Sequence, residues 1–170
     1  DGEDVPYASP TAVLAKLVKL RCEELGAFEG ERDTPVLDAL MSKKEPKAGF
    51  EGTLAWNTSV SNPATGDDFD VFVKELILPN GSRRPYSLWF SGTYPRDFDG
   101  LCKSLSIDMR VIDVAWIGEK LRKLRSISEP QGDFRAVVPG TEQSKRYGST
   151  IAYVADVLLY RYSMLGLLDS

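Results

Sequence analysis

Phe69-Asp70-Val71-Phe72-Val73-Lys74-Glu75-Leu76-Ile77-Leu78-Pro79-Asn80-Gly81-Ser82-Arg83-Arg84-Pro85-Tyr86-Ser87-Leu88-Trp89-Phe90-Ser91 decides the fold class. Phe69, Val71 and Val73 alternate with Asp68, Asp70 and Phe72, the period of a strand with one apolar face. The strand runs on through Leu76, Ile77 and Leu78. Pro79-Asn80-Gly81-Ser82 carries the Asn-Gly signal of a tight hairpin, because both residues tolerate positive φ. The return strand, Pro85 to Ser91, sets Tyr86, Leu88 and Phe90 on one face and Ser87, Trp89 and Ser91 on the other. Upstream, Leu54 and Trp56 alternate with Thr53 and Ala55, and a breaker-rich loop from Ser61 to Asp68 joins that strand to the hairpin. A three-stranded antiparallel meander is expected, and a sheet that small needs helices on its apolar face.

The flanks supply them. Ser9-Pro10 places Ser at an N-cap and Pro at N1. Val13, Leu14, Leu17, Val18 and Leu25 follow with helical spacing, and Gly26 reads as the stop. Thr34-Pro35 repeats the start signal for a short helix through Val36, Leu37, Leu40 and Met41, and residues 42 to 49 read as a linker. After the meander, Leu101, Cys102, Leu105, Ser106 and Met109 form one apolar stripe. Asp113 can cap a further helix carrying Val114, Trp116, Ile117, Leu121 and Leu124, whose late cations suit the helix dipole. Residues 128 to 146 read as irregular. Gly148-Ser149 then opens the most regular amphipathic helix, with Ile151, Val154, Ala155, Leu158, Leu159, Tyr162 and Leu165, ending near Gly166. The fold class expected is α+β: an antiparallel meander of about three strands packed on several helices. Residues 1–48 would be a helical arm and linker, and 49–170 the α+β domain.

Composition narrows the function. The chain has 170 residues, with 21 Lys+Arg against 25 Asp+Glu for a net charge of −4. A length like this buries roughly 70% of the unfolded surface without help from a disulfide or metal. The acidic balance argues against non-specific nucleic-acid binding, which draws on a basic surface. There is no histidine, so every triad, zinc site or acid–base scheme built on imidazole is excluded. With two cysteines, Cys22 and Cys102, a four-ligand N/S zinc site cannot be assembled from these residues. Each lies in an amphipathic helical stretch, where a free Cys behaves as a small buried hydrophobe. Asp1-Gly2-Glu3-Asp4 lacks the basic and apolar regions of a signal peptide, and apolar runs stop short of the about 18 residues of a membrane span. A cytoplasmic protein is expected.

Several constellations carry candidate chemistry. Asp67, Asp68 and Asp70 follow a Gly-bearing loop, but the EF-hand spacing is absent and a solvated strand edge accounts for them better. Asp97, Asp99 and Asp108 could pair as acid and base, yet their spacing fits helix caps and surface roles. No Gly-rich phosphate loop occurs. Arg83 and Arg84, with Tyr86 and Trp89 nearby, are the candidate binding residues: a grip on a phosphate or carboxylate, set against a plain solvated strand start. Lys120 to Arg125 is denser but has the period of a packed helix's polar face. For Trp89 and Trp116, core packing is expected ahead of a role as partner anchors.

The stretch Gly81 to Phe90 leads into Phe98-Asp99-Gly100-Leu101-Cys102-Lys103-Ser104-Leu105-Ser106-Ile107-Asp108-Met109-Arg110 and then Asp113-Val114-Ala115-Trp116-Ile117-Gly118-Glu119-Lys120-Leu121. This ordered run resembles the C-terminal region of class II, adenosylcobalamin-dependent ribonucleotide reductases, the part often called a TSCPD domain. In some bacteria that region looks to be encoded as a separate small polypeptide. Residues 149 to 168 also match the family's closing helix, so the resemblance spans about residues 50 to 168. The Thr-Ser-Cys-Pro-Asp string that names the domain is missing. Reduction in that family takes a thiyl radical and two reducing cysteines in one site, and two cysteines cannot supply three thiols. The resemblance therefore implies a non-catalytic accessory component, with no catalytic, cofactor or metal residue here and the adenosylcobalamin on a partner, the catalytic reductase chain. The alternative is a stand-alone small binding module that recognises a nucleotide or protein partner through Arg83, Arg84 and the Trp89 face. An independent hydrolase has little support without His or an activated nucleophile.

Overall fold

The computed structural model describes residues 9–27, 50, 52–78 and 80–169. The second short helix expected after Thr34-Pro35, the linker at 42–49 and the boundary at 48/49 lie outside the described residues. The chain divides into two compact units, residues 1–38 and 39–170.

In the first unit, α1 spans Pro10–Glu24. The Ser9 hydroxyl accepts from the amide of Ala12 at 3.2 Å, satisfying one of the open donors at a helix start. Leu25 is the C-cap and Gly26 follows at φ +66°. None of the residues of α1 is buried, so Leu14, Leu17 and Val18 stay exposed and Cys22 is half-buried, not the buried hydrophobe expected.

The second unit is α+β. Among its described residues are the strands β1 (Ala55–Asn62), β2 (Asp67–Ile77) and β3 (Arg83–Thr93) in an antiparallel meander of order β1-β2-β3. There follow α2 (Phe98–Met109), α3 (Val114–Leu124), a separate hairpin of β4 (Phe134–Val137) and β5 (Ser144–Tyr147), and α4 (Thr150–Met164). The register sets Val60 against Phe69, and Val73 against both Trp56 and Leu88. One sheet face is therefore apolar and carries the core of Val60, Phe69, Val71, Val73, Leu88 and Phe90. Leu105 and Met109 of α2, Ile117 and Leu121 of α3, and Val154, Leu158 and Tyr162 of α4 complete it. No described helix is long and apolar enough to cross a membrane.

Three expectations change on contact with the structure. The loop foreseen from Ser61 to Asp68 shrinks to residues 63–66, because the β1–β2 ladder continues to the Asn62–Asp67 pair. At the β2–β3 turn the Leu78 carbonyl accepts from the Gly81 amide at 2.8 Å, and the Leu78 amide donates to the Ser82 carbonyl at 2.8 Å. Three residues therefore separate the closing pair; Gly81 takes the positive φ of +81°, while Asn80 serves through its side-chain oxygen, accepting from the Ser82 amide and hydroxyl. The region 128–146 is not irregular throughout, since β4 and β5 pair in it.

The β2–β3 ladder is interrupted at one point. Lys74 faces Ser87 but Glu75 faces Pro85, so Tyr86 bulges out of the pairing. Alternation lapses there, and Val73, Lys74 and Glu75 are all buried.

Candidate docking surface

The three candidate binding residues do not converge. Arg83 is exposed at the start of β3, whereas the Arg84 side chain donates to the carbonyl of Val111 beyond α2. Trp89 lies six residues from Arg83, about 20 Å along an extended strand. The residue is 40% exposed, and its ring stacks on Phe72 across the ladder, with centroids 5.4 Å apart and planes within 4°. The core position expected for it is wrong: Leu88 and Phe90 point inward, so the pleat turns Trp89 to the opposite face with Ser87 and Ser91. Trp116 is corrected likewise, at 59% exposed. The buried stripe of α3 runs through Ile117 and Leu121, and Trp116 sits one residue, about 100°, around the helix from Ile117. Its indole N–H donates to Asp108 Oδ1 at 2.8 Å.

Of the candidate carboxylates, Asp67, Asp70, Asp99 and Asp108 are engaged in structure, while Asp97 stands at the N-cap of α2 without a side-chain cap bond. Asp67 is buried, not on a solvated edge, because it shares the inward parity of Phe69. Its Oδ2 accepts from the hydroxyls of Thr65 and Thr150, each at 2.6 Å. Asn62 donates to Thr150 Oγ1 at 2.9 Å and to the Gly132 carbonyl at 3.0 Å, so this network ties the β1–β2 turn to the start of α4. Asp70 accepts from Ser59 and Asp99 from Tyr94. Asp108 takes Trp116 on one oxygen and Lys120 on the other. Among the described residues, no group of three His, Cys, Asp or Glu side chains could hold a metal ion.

Cys102 is buried in α2, and burial, with a smaller contribution from the Asp99 charge, pushes its thiol up to about 12. A thiol in that state is a packing group at neutral pH, because the thiolate is the reactive form.

Among the clefts of the second unit, two differ in charge. One, of about 470 Å³, is lined by Arg122, Arg125, Lys145, Tyr160, Asp156 and Asp169. Its cations are answered internally. Asp156 accepts from Tyr147 at 2.7 Å, Lys145 at 2.8 Å and Arg125 at 3.4 Å, and Arg122 pairs with Glu119 at 3.1 Å. The sequence signal for this cluster was the lone acid in Val154-Ala155-Asp156-Val157-Leu158, a charge set inside the apolar helix.

The other, of about 500 Å³, runs between β3 and α2. Ser106 builds its base: the hydroxyl accepts from the Leu88 amide at 2.9 Å and donates to the Cys102 carbonyl at 2.7 Å. That contact occupies the outer edge of β3, which would otherwise invite another strand. Trp89, Leu88 and Ile107 line the groove with Lys103 and Arg110. Ile107 is exposed on α2, and Ile112 and Trp116 are exposed in the turn and helix that come after it. These large apolar groups all fall within residues 81–121. Exposed groups of this kind are what a protein interface draws on for anchors, without any catalytic constellation beside them.

No protein-family model, curated protein or solved structure matches the chain.

Proposed function

We propose that this chain is a non-catalytic accessory or C-terminal component of an adenosylcobalamin-dependent ribonucleotide reductase. It docks on the catalytic chain and supports the making of deoxyribonucleotides; the cobalamin and the three reacting thiols belong to that other chain. The observation that carries this reading is the ordered run from Gly81 to Leu121, which holds the exposed apolar groups Trp89, Ile107, Ile112 and Trp116. Thiol supply agrees: of two cysteines, Cys102 is buried and protonated, and the chain has no imidazole. The test is reconstitution. The chain should co-purify with a cobalamin-dependent catalytic chain, and withholding it should depress nucleotide reduction; unchanged reduction without it defeats the reading.

A stand-alone binding module is the second reading, favoured by the flat Phe72–Trp89 stack on the open sheet face. Calorimetry with nucleotides on wild type and on an Arg83→Ala/Arg84→Ala variant separates it from the first.

A further inference from the structure

We infer that the open edge of β1 is a pairing surface for the same strand of a second copy of this chain, joining two three-stranded sheets into one across a two-fold axis. The inference goes beyond the accessory role and does not depend on it. The two edges of the sheet are not alike. That of β3 is held by Ser106 of α2, whose hydroxyl accepts from the Leu88 amide. Along β1 the hydrogen-bonding parity is set at both ends. The Leu54 carbonyl accepts from the Glu75 amide at 3.0 Å, and the Asn62 carbonyl from the Gly66 amide at 2.9 Å. The register between them is unbroken. Even-numbered residues of β1 therefore turn their amides and carbonyls to β2, while Ala55, Asn57, Ser59 and Ser61 turn theirs outward. All four residues are exposed, and among the described residues no hydrogen bond reaches these outward groups.

An open row of this kind is ordinarily blunted by a charge, a proline, a bulge or a covering element. The strand Ala55-Trp56-Asn57-Thr58-Ser59-Val60-Ser61-Asn62 has no charged residue, no proline and no bulge, so a second copy brings no like charge to it. Side-chain pairing selects that copy and its register. With Thr58 on the two-fold axis, Trp56 of each copy stands opposite Val60 of the other, and Thr58 opposite Thr58, on the face toward the helices. Aromatic–β-branched and Thr–Thr pairs are among those that stabilise a sheet. Trp56 and Thr58 are half-buried at the edge and gain cover there. On the other face Asn57 meets Ser59 and Ala55 meets Ser61, which are the hydrogen-bonded pairs, about eight bonds in all. A two-fold contact of this kind closes on itself, and the sheet grows no further because Ser106 occupies the β3 edge. Eight residues from each copy make a small interface, so the dimer is weak and reversible.

The experiment is sedimentation equilibrium of the full chain over a concentration series into the millimolar range, with residue-resolved amide exchange at the lowest and highest concentrations. A monomer–dimer equilibrium is expected. The amides of Asn57, Ser59 and Ser61 should slow as the dimer fills, while that of Thr58, already in the ladder with β2, stays unchanged. Ser59→Pro removes only an outward amide, and Ser59→Lys brings an ammonium that Asp70 of the same sheet can pair, so both keep the fold, as circular dichroism will verify. Each should raise the dimer dissociation constant about tenfold or more. Leu17→Lys, at an exposed apolar position of α1, should leave it unchanged. In a Cys22→Ser background, Thr58→Cys should give a disulfide-linked dimer under mild oxidation, because the two Cα atoms at the axis lie about 4.5 Å apart; Ser61→Cys should not. A chain that stays monomeric throughout overturns the inference. So does a dimer that survives both Ser59 variants or dissociates with Leu17→Lys, and so does cross-linking through Ser61→Cys in place of Thr58→Cys.

Discussion

Arg161 closes on Glu75 as a planar fork: Nε meets Oε1 at 2.6 Å and Nη2 meets Oε2 at 2.7 Å, with both side chains buried. The pair joins α4 to the middle strand of the sheet across 86 residues of sequence. The guanidinium also lies 5.2 Å from the Trp56 ring, so its remaining face is covered. Two parallel charge-assisted bonds offset the desolvation of both ions only while both are present. Glu75→Gln should therefore cost about 3–5 kcal/mol, because it strands a buried guanidinium. A Glu75→Leu/Arg161→Met double variant should recover most of that loss. Urea denaturation of the three proteins checks this, and a double variant as weak as the single would refute it.

Cys102 and Cys22 should separate cleanly under a thiol reagent. The Cys102 thiol stands at about 12 and is buried, whereas Cys22 is half-buried on a helix without buried residues. In the native protein at mildly alkaline pH, maleimide should label Cys22 and spare Cys102, and denaturant should expose both. Peptide mass spectrometry reads the sites directly. Labelling of Cys102 at the rate of Cys22 in the native state contradicts the burial on which its packing role depends.

Asp156 gives the fold a pH dependence of definite sign. Burial alone would raise its carboxyl, but hydrogen bonds from Lys145 and Tyr147, the Lys145 charge and a bond from Arg125 outweigh it and hold it below 3.8. The folded state therefore favours the ionised form more than the unfolded chain does. This contribution is complete above the unfolded value and is lost as pH falls through the lower folded value. Asp156→Asn should cost about 1–3 kcal/mol at neutral pH, by leaving its donors poorly matched. It should also make the fall of the urea midpoint below about pH 4 shallower than in wild type. Equal slopes for the two proteins would mean that Asp156 does not carry the effect.

What could be read from sequence was local. Ser9, Asp113 and Ser149 each accept from an amide of the first helical turn, and such caps lie within three residues of their partners. The meander was legible because alternation and the Asn80-Gly81 turn agree over consecutive residues. The hairpin of β4 and β5 was not, since Ser144-Lys145-Arg146-Tyr147 shows no alternation and becomes a strand by pairing with Phe134–Val137. For Trp89 and Trp116, side-chain size argued for the core, while pleat and helix phase decided otherwise. The Glu75–Arg161 fork was hidden by the Tyr86 bulge, which breaks the very alternation a reader relies on. The groove was half visible: Trp89 was a candidate, but its neighbours Lys103, Ile107 and Arg110 come from the packing of α2 on β3.

Gly92 tests how closely that sheet is fitted. It stands opposite Phe69 in the ladder at φ +133°, a conformation L side chains rarely adopt. A Cβ there would lie 2.5 Å from the Asp68 carbonyl oxygen and 2.8 Å from Phe69 Cα, both backbone atoms that cannot swing aside. Phe69 in turn anchors the aromatic cluster, 5.0 Å from Phe90, 5.6 Å from Tyr94 and 6.1 Å from Phe98 between ring centres. Gly92→Ala should therefore cost about 1–3 kcal/mol from backbone strain and displaced packing. Gly66→Ala controls for conformation alone: it has φ +78° and nothing within 4 Å of its Cβ, so it should cost less. Thermal melts of both variants give the comparison. Equal losses would show that the close approach of β2 to Gly92 contributes nothing beyond the dihedral angle.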